Sequence, residues 1–370
     1  MKVFNLSNSL IFISFFVLIL FMYLTGLKLL YPPYYTMLPL FILGAFLFFL
    51  NIRKIEKEYL IIFLIILFNF FSAFFLIHLN KKIFVDKTVF FKLAIFAVVI
   101  QILISFFSYL SPSIYNVIFS IVDVGLDTDQ VDSFNSSRVV GVGASFFGAG
   151  ILNSFFLVLI TILYQKSIIK SSFIYFLSFF IISVIGLMLS RTTSIGIFLS
   201  LIIIIADFNK KKNFKIIGAL LFVFIMVFIS LPILNKFNER FVDILKFGFE
   251  FIYNFGDSQA RDSASELPRM FERFPTSYST WLIGDAQYMN EYGGYYKNID
   301  IGYLRILYAT GLLGLFSYIY LHFYLIKNNE LFYGYRKFVF ILFIILNIKG
   351  VANLFPFLIL LFFYNKEASK

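Results

Sequence analysis

The chain has 370 residues, of which 61% are hydrophobic and only 14% are charged, and its formal net charge at pH 7 is +11. A water-soluble core of this size could not absorb 55 Phe and 23 Tyr without exposing large apolar patches. The composition excludes a cytosolic enzyme, a secreted disulfide scaffold and a nucleic-acid-binding domain, and the absence of cysteine excludes thiolate metal sites. It predicts an all-α polytopic membrane protein, a bundle of about 10–11 transmembrane helices.

Apolar runs long enough to cross a bilayer follow one another along the chain. They occupy about 9–30, 35–50, 59–79, 91–110, 139–163, 172–190, 193–207, 216–232 and 301–325. A last run, 338–364, is interrupted at residues 347–350, which predicts two short spans, a re-entrant hairpin or one kinked helix. The predicted organisation is N-terminal helices (1–110), a shorter loop (111–138), central helices (139–232), a large loop with short helices (233–300) and C-terminal helices (301–370).

Basic residues in the short loops predict the orientation. Clusters at 81–87, 166–170, 210–215 and 327–337 fall on one side when the crossings are counted in turn. The positive-inside rule makes that side cytoplasmic, so both longer polar segments are predicted to face away from the cytoplasm. Arg53, Lys54 and Lys57 conflict with this scheme, and the orientation of the first two spans stays open.

Arginine, unlike lysine, is concentrated on the predicted extracytoplasmic side. The residues are Arg138, Arg191, Arg240, Arg261, Arg269 and Arg273, with Arg305 just inside the following span. A guanidinium group binds phosphate or carboxylate through two parallel hydrogen bonds, so this distribution predicts an anionic ligand. The alternative is pairing with the acidic residues of 233–300, and exposed pairs of that kind carry little functional information.

Arg191 is the most informative of these arginines. It lies in Leu189–Thr193, a polar turn between two spans, the second of which is only about 14 residues long. A charge at that depth is costly unless it is used, although the side chain could instead reach lipid headgroups.

Other motifs have less specific interpretations. Trp281, Tyr288, Tyr292 and Tyr295 are predicted to stack on sugar rings, or alternatively to form an interfacial aromatic belt. The glycines between 141 and 150 favour close helix packing over a nucleotide-binding loop. The aspartates in 127–132 are more typical of a solvated loop than of a metal site.

Four segments in order resemble the O-antigen polymerases of the Wzy type and, more distantly, the O-antigen ligases. They are Ser137–Arg138 leading into Gly150–Asn153, the turn Leu189–Arg191, the loop segment Ser263–Tyr288, and Asp300–Leu304 followed by Gly311–Gly314. Ligases of this superfamily are understood to use a histidine in the large loop, and residues 233–300 contain none. The resemblance covers about 110–325 and favours the polymerases.

The resemblance implies a glycosyltransferase of the bacterial inner membrane that needs no metal and no cofactor. Its substrates would be a glycan and a repeat unit, each linked to undecaprenyl diphosphate, and membrane lipids and a chain-length regulator would be its partners. An O-antigen ligase, another polysaccharide polymerase and a flippase for lipid-linked sugars remain as alternatives.

The chemistry of such a transfer assigns roles to the candidate residues. Arg138, Arg191, Arg261 and Arg269 are predicted to bind the diphosphate, because preorganised cations stabilise the charge that develops on the leaving group. The acceptor hydroxyl needs a general base, and Asp300, Asp285 and Glu291 are the candidates. For Asp300 the alternative is an N-terminal cap of the span at 301–325.

Overall fold

The computed structural model describes residues 87–121, 139–206 apart from 145, and 272–368 apart from 286 and 291–293, together with the single residues 218, 247 and 270. Helices dominate these parts of the chain, and no strand is found among them beyond one isolated bridge between Met289 and Tyr295. Four of the described helices are long and apolar enough to cross a membrane. The protein is therefore a helical membrane protein, as the composition predicts.

Nine α-helices make up the described part of the chain. They are α1 (Lys87–Leu110), α2 (Pro112–Ile121), α3 (Phe146–Gln165), α4 (Ser172–Leu189), α5 (Thr193–Ala206), α6 (Tyr278–Ile283), α7 (Gly302–Lys327), α8 (Arg336–Lys349) and α9 (Phe355–Ala368). The candidate spans are α1, α3, α4 and α7.

Helix α3 forms the centre of the bundle. Nearly all of it is buried, and it packs against α5, α4, α8 and α1. Because apolar residues surround α3 on every face, it can be covered by other helices instead of lipid. The neighbouring helices pack closely on α3. A Cβ atom on Gly196 of α5 would meet the backbone of Ser154 on α3.

Contacts between helices define the two ends of the bundle. At one end, which we call the lysine end, the Lys166 ammonium donates to the carbonyl of Glu330 at 3.1 Å, and α8 begins with Arg336 and Lys337. At the opposite end, the site end, the 190–192 turn meets Gly150, and Gly302 meets Gly350. This confirms the prediction that the basic clusters at 166–170 and 327–337 lie at the same end of the bundle. The clusters at 81–87 and 210–215 have no described side chains.

Three predicted boundaries need correction. The span predicted from 139 begins at Phe146, because 139–144 is irregular backbone in which Gly143 has φ +76°. The predicted loop 111–138 begins with helix α2. The Ser111 hydroxyl accepts from the backbone N–H of Ile114, and Pro112 is the first residue of the helix, where proline is common. The last apolar run is two helices, α8 and α9, separated at 350–354, which excludes one kinked helix and leaves two short spans and a re-entrant hairpin as the alternatives.

Two buried side chains hold the α8–α9 turn. The Asn347 amide donates to the Phe343 carbonyl and accepts from the backbone N–H of Ala352. The Tyr318 hydroxyl donates to the Ala352 carbonyl at 2.7 Å. These bonds satisfy backbone groups that the interrupted helix leaves open at membrane depth.

Helix α7 is broken at Gly311, where φ is +65°. Before the break its residues are buried on nearly every side, whereas after it burial is confined to one face. The first part of α7 is therefore enclosed by protein, and only the second part has the one-sided burial of a helix at the edge of a bundle.

Candidate functional site

The end of the large loop docks into the break in α7. A Cβ atom on Gly311 would meet the carbonyl of Leu282, and one on Gly284 would meet the backbone of Ala309 at 2.6 Å. The backbone N–H of Asp285 donates to the Tyr308 carbonyl at 2.6 Å. Because the break removes the intrahelical partner of that carbonyl, the loop supplies the missing hydrogen bond. Residues 278–285 are thus fixed against the first part of α7.

Arg305 lies in this enclosed first part and is held by two tyrosines. Its guanidinium carbon is 3.6 Å from the ring centroid of Tyr295 and 4.3 Å from that of Tyr288. Arg305 is only 9% exposed, and its Nε has no hydrogen-bond partner in the described part of the chain. A buried guanidinium held by ring faces has an Nε–H that can donate to a ligand.

Asp300 lies five residues before Arg305, where the loop enters the helix. The predicted N-cap role is wrong: Ile301 occupies the N-cap position of α7, and no side chain caps it. Burial raises the pKa of the Asp300 carboxyl, while the charges of Arg305 and Lys349 oppose that shift. Asp300 is consequently a partly buried carboxyl beside two cations, with a pKa closer to neutrality than that of an exposed aspartate.

Asp285 is engaged within the loop. One carboxylate oxygen accepts from Thr280 Oγ1 at 2.6 Å, and the other accepts from the Tyr296 hydroxyl at 3.2 Å. With both oxygens bonded and its N–H bound to α7, Asp285 has the contacts of a residue that organises the loop. These contacts favour Asp300 over Asp285 as the candidate base.

The aromatic side chains predicted to bind sugar also have partners within the chain. Trp281 stacks on Phe274, with ring centroids 5.7 Å apart, and its indole N–H donates to the Pro275 carbonyl at 2.7 Å. Tyr288 and Tyr295 both face Arg305, and Tyr295 remains 41% exposed. Sugar stacking therefore stays a prediction, with the outer face of Tyr295 the most accessible of the three rings.

Arg191 is placed by a buried polar cluster at the same end of the bundle. It lies between the end of α4 and the start of α5, as predicted. Beneath it Ser154 donates to the carbonyl of Thr192, and Thr193 donates to the carbonyl of Gly186, both at 2.9 Å. The Arg191 guanidinium lies 4.8 Å from the ring of Phe247. The turn is thus anchored to α3.

The remaining predicted site residues lie outside the described residues. They are Arg138, Arg261 and Arg269 for the diphosphate, Glu291 for the base and Tyr292 for sugar. The first three predicted spans, the predicted span at 216–232 apart from residue 218, and the aspartates of 127–132 also lie outside them.

Comparison of the chain with protein-family models, with curated proteins and with solved structures finds no match. The geometry around Arg305 and Asp300 therefore carries the functional argument, together with the motifs described above.

Proposed function

We propose that the protein is an O-antigen polymerase, a membrane glycosyltransferase that joins undecaprenyl-diphosphate-linked repeat units on the periplasmic face of the bacterial inner membrane. The observation that supports this most directly is the buried Arg305, held by two tyrosine rings, beside the partly buried Asp300 at the site end. A cation and a candidate base at one end of a membrane bundle suit a substrate with a lipid tail and an anionic diphosphate.

In the proposed reaction Arg305 binds the diphosphate of the donor glycan. The acceptor hydroxyl attacks the anomeric carbon of the donor's first sugar, a new glycosidic C–O bond forms, and the bond between that carbon and the diphosphate oxygen breaks. The hydroxyl proton passes to the Asp300 carboxylate, and undecaprenyl diphosphate leaves. Arg305 stabilises the charge that develops on the leaving group, because its donors are already fixed before the reaction.

The environment of Asp300 suits the base in this reaction. A carboxylate with an ordinary pKa is a weak base near neutral pH, and burial raises its basicity. The charges of Arg305 and Lys349 oppose this rise in the pKa of Asp300, so they favour the ionised carboxylate that a general base requires.

Arg191 is proposed as a second cation for the substrate pair. Its anchored turn between two apolar helices is the supporting observation, since an arginine in such a position is costly unless it is used. Arg138, Arg261 and Arg269 are retained as further diphosphate ligands on the sequence argument alone.

The test is the lipopolysaccharide of a strain in which the gene is deleted. We expect single-repeat product in place of a polymer ladder, with the ladder restored by the wild-type chain. Bare core with no repeat attached would instead identify a ligase or a flippase. An unchanged ladder would exclude all three functions in that host.

The test in vitro uses the purified full-length chain and lipid-linked repeat units as the only glycan substrate. We expect products of increasing repeat number. The Asp300→Asn variant should be expressed as well as the wild-type chain but should be inactive, because asparagine keeps the shape of the side chain but accepts no proton.

A further inference from the structure

A groove of about 850 Å³ lies between α1 and α4 at the lysine end, away from the Arg305 site. Its walls are apolar and follow one face of each helix, with Leu93, Phe96 and Val99 on α1 and Ile174 and Leu177 on α4. Several of these side chains are exposed, including Phe96 at 60%. The volume is within the range of small-molecule and cofactor sites.

The length of the groove matches one leaflet of a bilayer. Along α1 the lining extends from Lys92 to Leu103, and along α4 from Ser171 to Ile181. At 1.5 Å per residue these stretches are about 15 Å, half of the roughly 30 Å hydrocarbon thickness. An acyl chain that enters from the lysine end would therefore end near the bilayer midplane.

The mouth of the groove is positively charged. Lys92 and Lys170 line it, both are exposed, and no lining residue is acidic. Helix α4 starts at the mouth with Ser171 as its N-cap, and its first turn contains no acidic residue to offset the helix dipole. Basic groups at a membrane surface attract anionic lipid headgroups.

We propose that this groove binds an anionic phospholipid of the leaflet at the lysine end, with one acyl chain between α1 and α4 and the phosphate between Lys92 and Lys170. Charge selects the occupant: a zwitterionic lipid could fill the apolar groove, but its headgroup carries no net charge for the two lysines. The proposal is independent of the reaction at the site end.

Lipid retention by the purified full-length chain tests the selectivity. In native mass spectrometry from a neutral detergent, we expect dioleoyl phosphatidylglycerol to remain bound to the wild-type chain more strongly than dioleoyl phosphatidylcholine. The double variant Lys92→Gln with Lys170→Gln should bind phosphatidylglycerol about 30-fold more weakly, because each lysine near the surface contributes about 1 kcal/mol and tenfold is about 1.4 kcal/mol.

The matched control is Lys327→Gln with Lys337→Gln. It removes the same charge from exposed positions at the same end, outside the groove lining. Its affinity for phosphatidylglycerol should stay within about twofold of wild type if the site is local, because charges beyond a Debye length are screened. Equal losses in the two double variants, no loss in the groove variant, or equal retention of the two lipids would each overturn the proposal.

A second measurement uses only the wild-type chain, so it stands even if a variant fails to fold. Phosphatidylglycerol with a photoactivatable diazirine on its acyl chain should crosslink to peptides of α1 and α4 that line the groove. Crosslinks confined to other helices would overturn the proposal.

Discussion

Arg305→Lys is the substitution that most sharply tests the proposed reaction. Lysine keeps the positive charge but loses the planar fork that binds a diphosphate through two parallel hydrogen bonds. Arg305 is 9% exposed and lies against two tyrosine rings, so water cannot readily replace the lost donors. We therefore expect a large loss of turnover with little loss of expression.

The magnitude follows from the geometry. Removing one preorganised donor from an enclosed site typically lowers turnover by about 10²–10³, or about 3–4 kcal/mol in the barrier. The two ring contacts, at 3.6 and 4.3 Å, each contribute about 0.5–2 kcal/mol toward holding the guanidinium in place. For Arg305→Lys we expect turnover about 100-fold or more below wild type.

Tyr295 provides the matched pair for this experiment. Tyr295→Phe keeps the ring face over Arg305 and should retain most activity, whereas Tyr295→Leu removes the face and should cost about fivefold to tenfold, as expected for a loss of about 1 kcal/mol. The assay is chain elongation by the purified protein on lipid-linked repeat units, with binding of farnesyl diphosphate as an independent readout. Wild-type activity and wild-type diphosphate binding in Arg305→Lys would refute the reasoning. Equal losses in the Phe and Leu variants would mean that the Tyr295 hydroxyl, and not its ring face, makes the important contact.

Three further predictions concern the surroundings of Arg305. Lys349→Gln should raise the pKa of Asp300, because the charge of Lys349 opposes the upward shift of that pKa. Since the base must be ionised to act, the acid limb of the pH–rate profile should move to higher pH. An unmoved limb would exclude Asp300 as the base. Gly311→Ala should speed protease cleavage within 272–300, since a positive φ costs a side-chain-bearing residue about 1–2 kcal/mol; an unchanged cleavage rate would mean that loop docking does not depend on the break. Asp285→Ala should lower the free energy of unfolding by about 1–3 kcal/mol, because the Thr280 hydroxyl, which is 6% exposed, loses its acceptor. Asp285→Asn should keep activity. An Asn variant that is stable but inactive would instead make Asp285 the base.

The helix boundaries of the central bundle could be predicted from the sequence where local signals agree. The runs predicted at 172–190 and 193–207 are the helices Ser172–Leu189 and Thr193–Ala206. Ser171 caps the first of these, and the polar residues at 190–192 end it. Hydropathy alone gives the wrong boundary where glycines interrupt an apolar run. Residues 139–144 are apolar, but their backbone at the glycines is not helical, so α3 starts at Phe146.

The candidate site could be predicted only in part. The position of Arg191 in a turn between two helices could be predicted, because the polar residues 190–192 interrupt the apolar sequence there. The contacts of Arg305 with Tyr288 and Tyr295 could not be predicted from the sequence. They depend on the docking of the loop at the helix break, which is a contact between distant parts of the chain. The signal available in advance was an arginine inside an apolar run, since intramembrane charges are rarely without function.

The break at Gly311 accounts for both the irregular backbone and the buried charge. An unbroken helix from Gly302 to Lys327 would satisfy its own backbone and leave no place for the loop. With the break, the carbonyl of Tyr308 is free to accept the N–H of Asp285, and the loop covers the first part of the helix. Non-helical backbone at membrane depth is tolerated only when protein or a water-filled cavity surrounds it. The same enclosure that makes the break tolerable also holds Arg305 away from lipid, so the positions of the break and of the charge in α7 have a common physical cause.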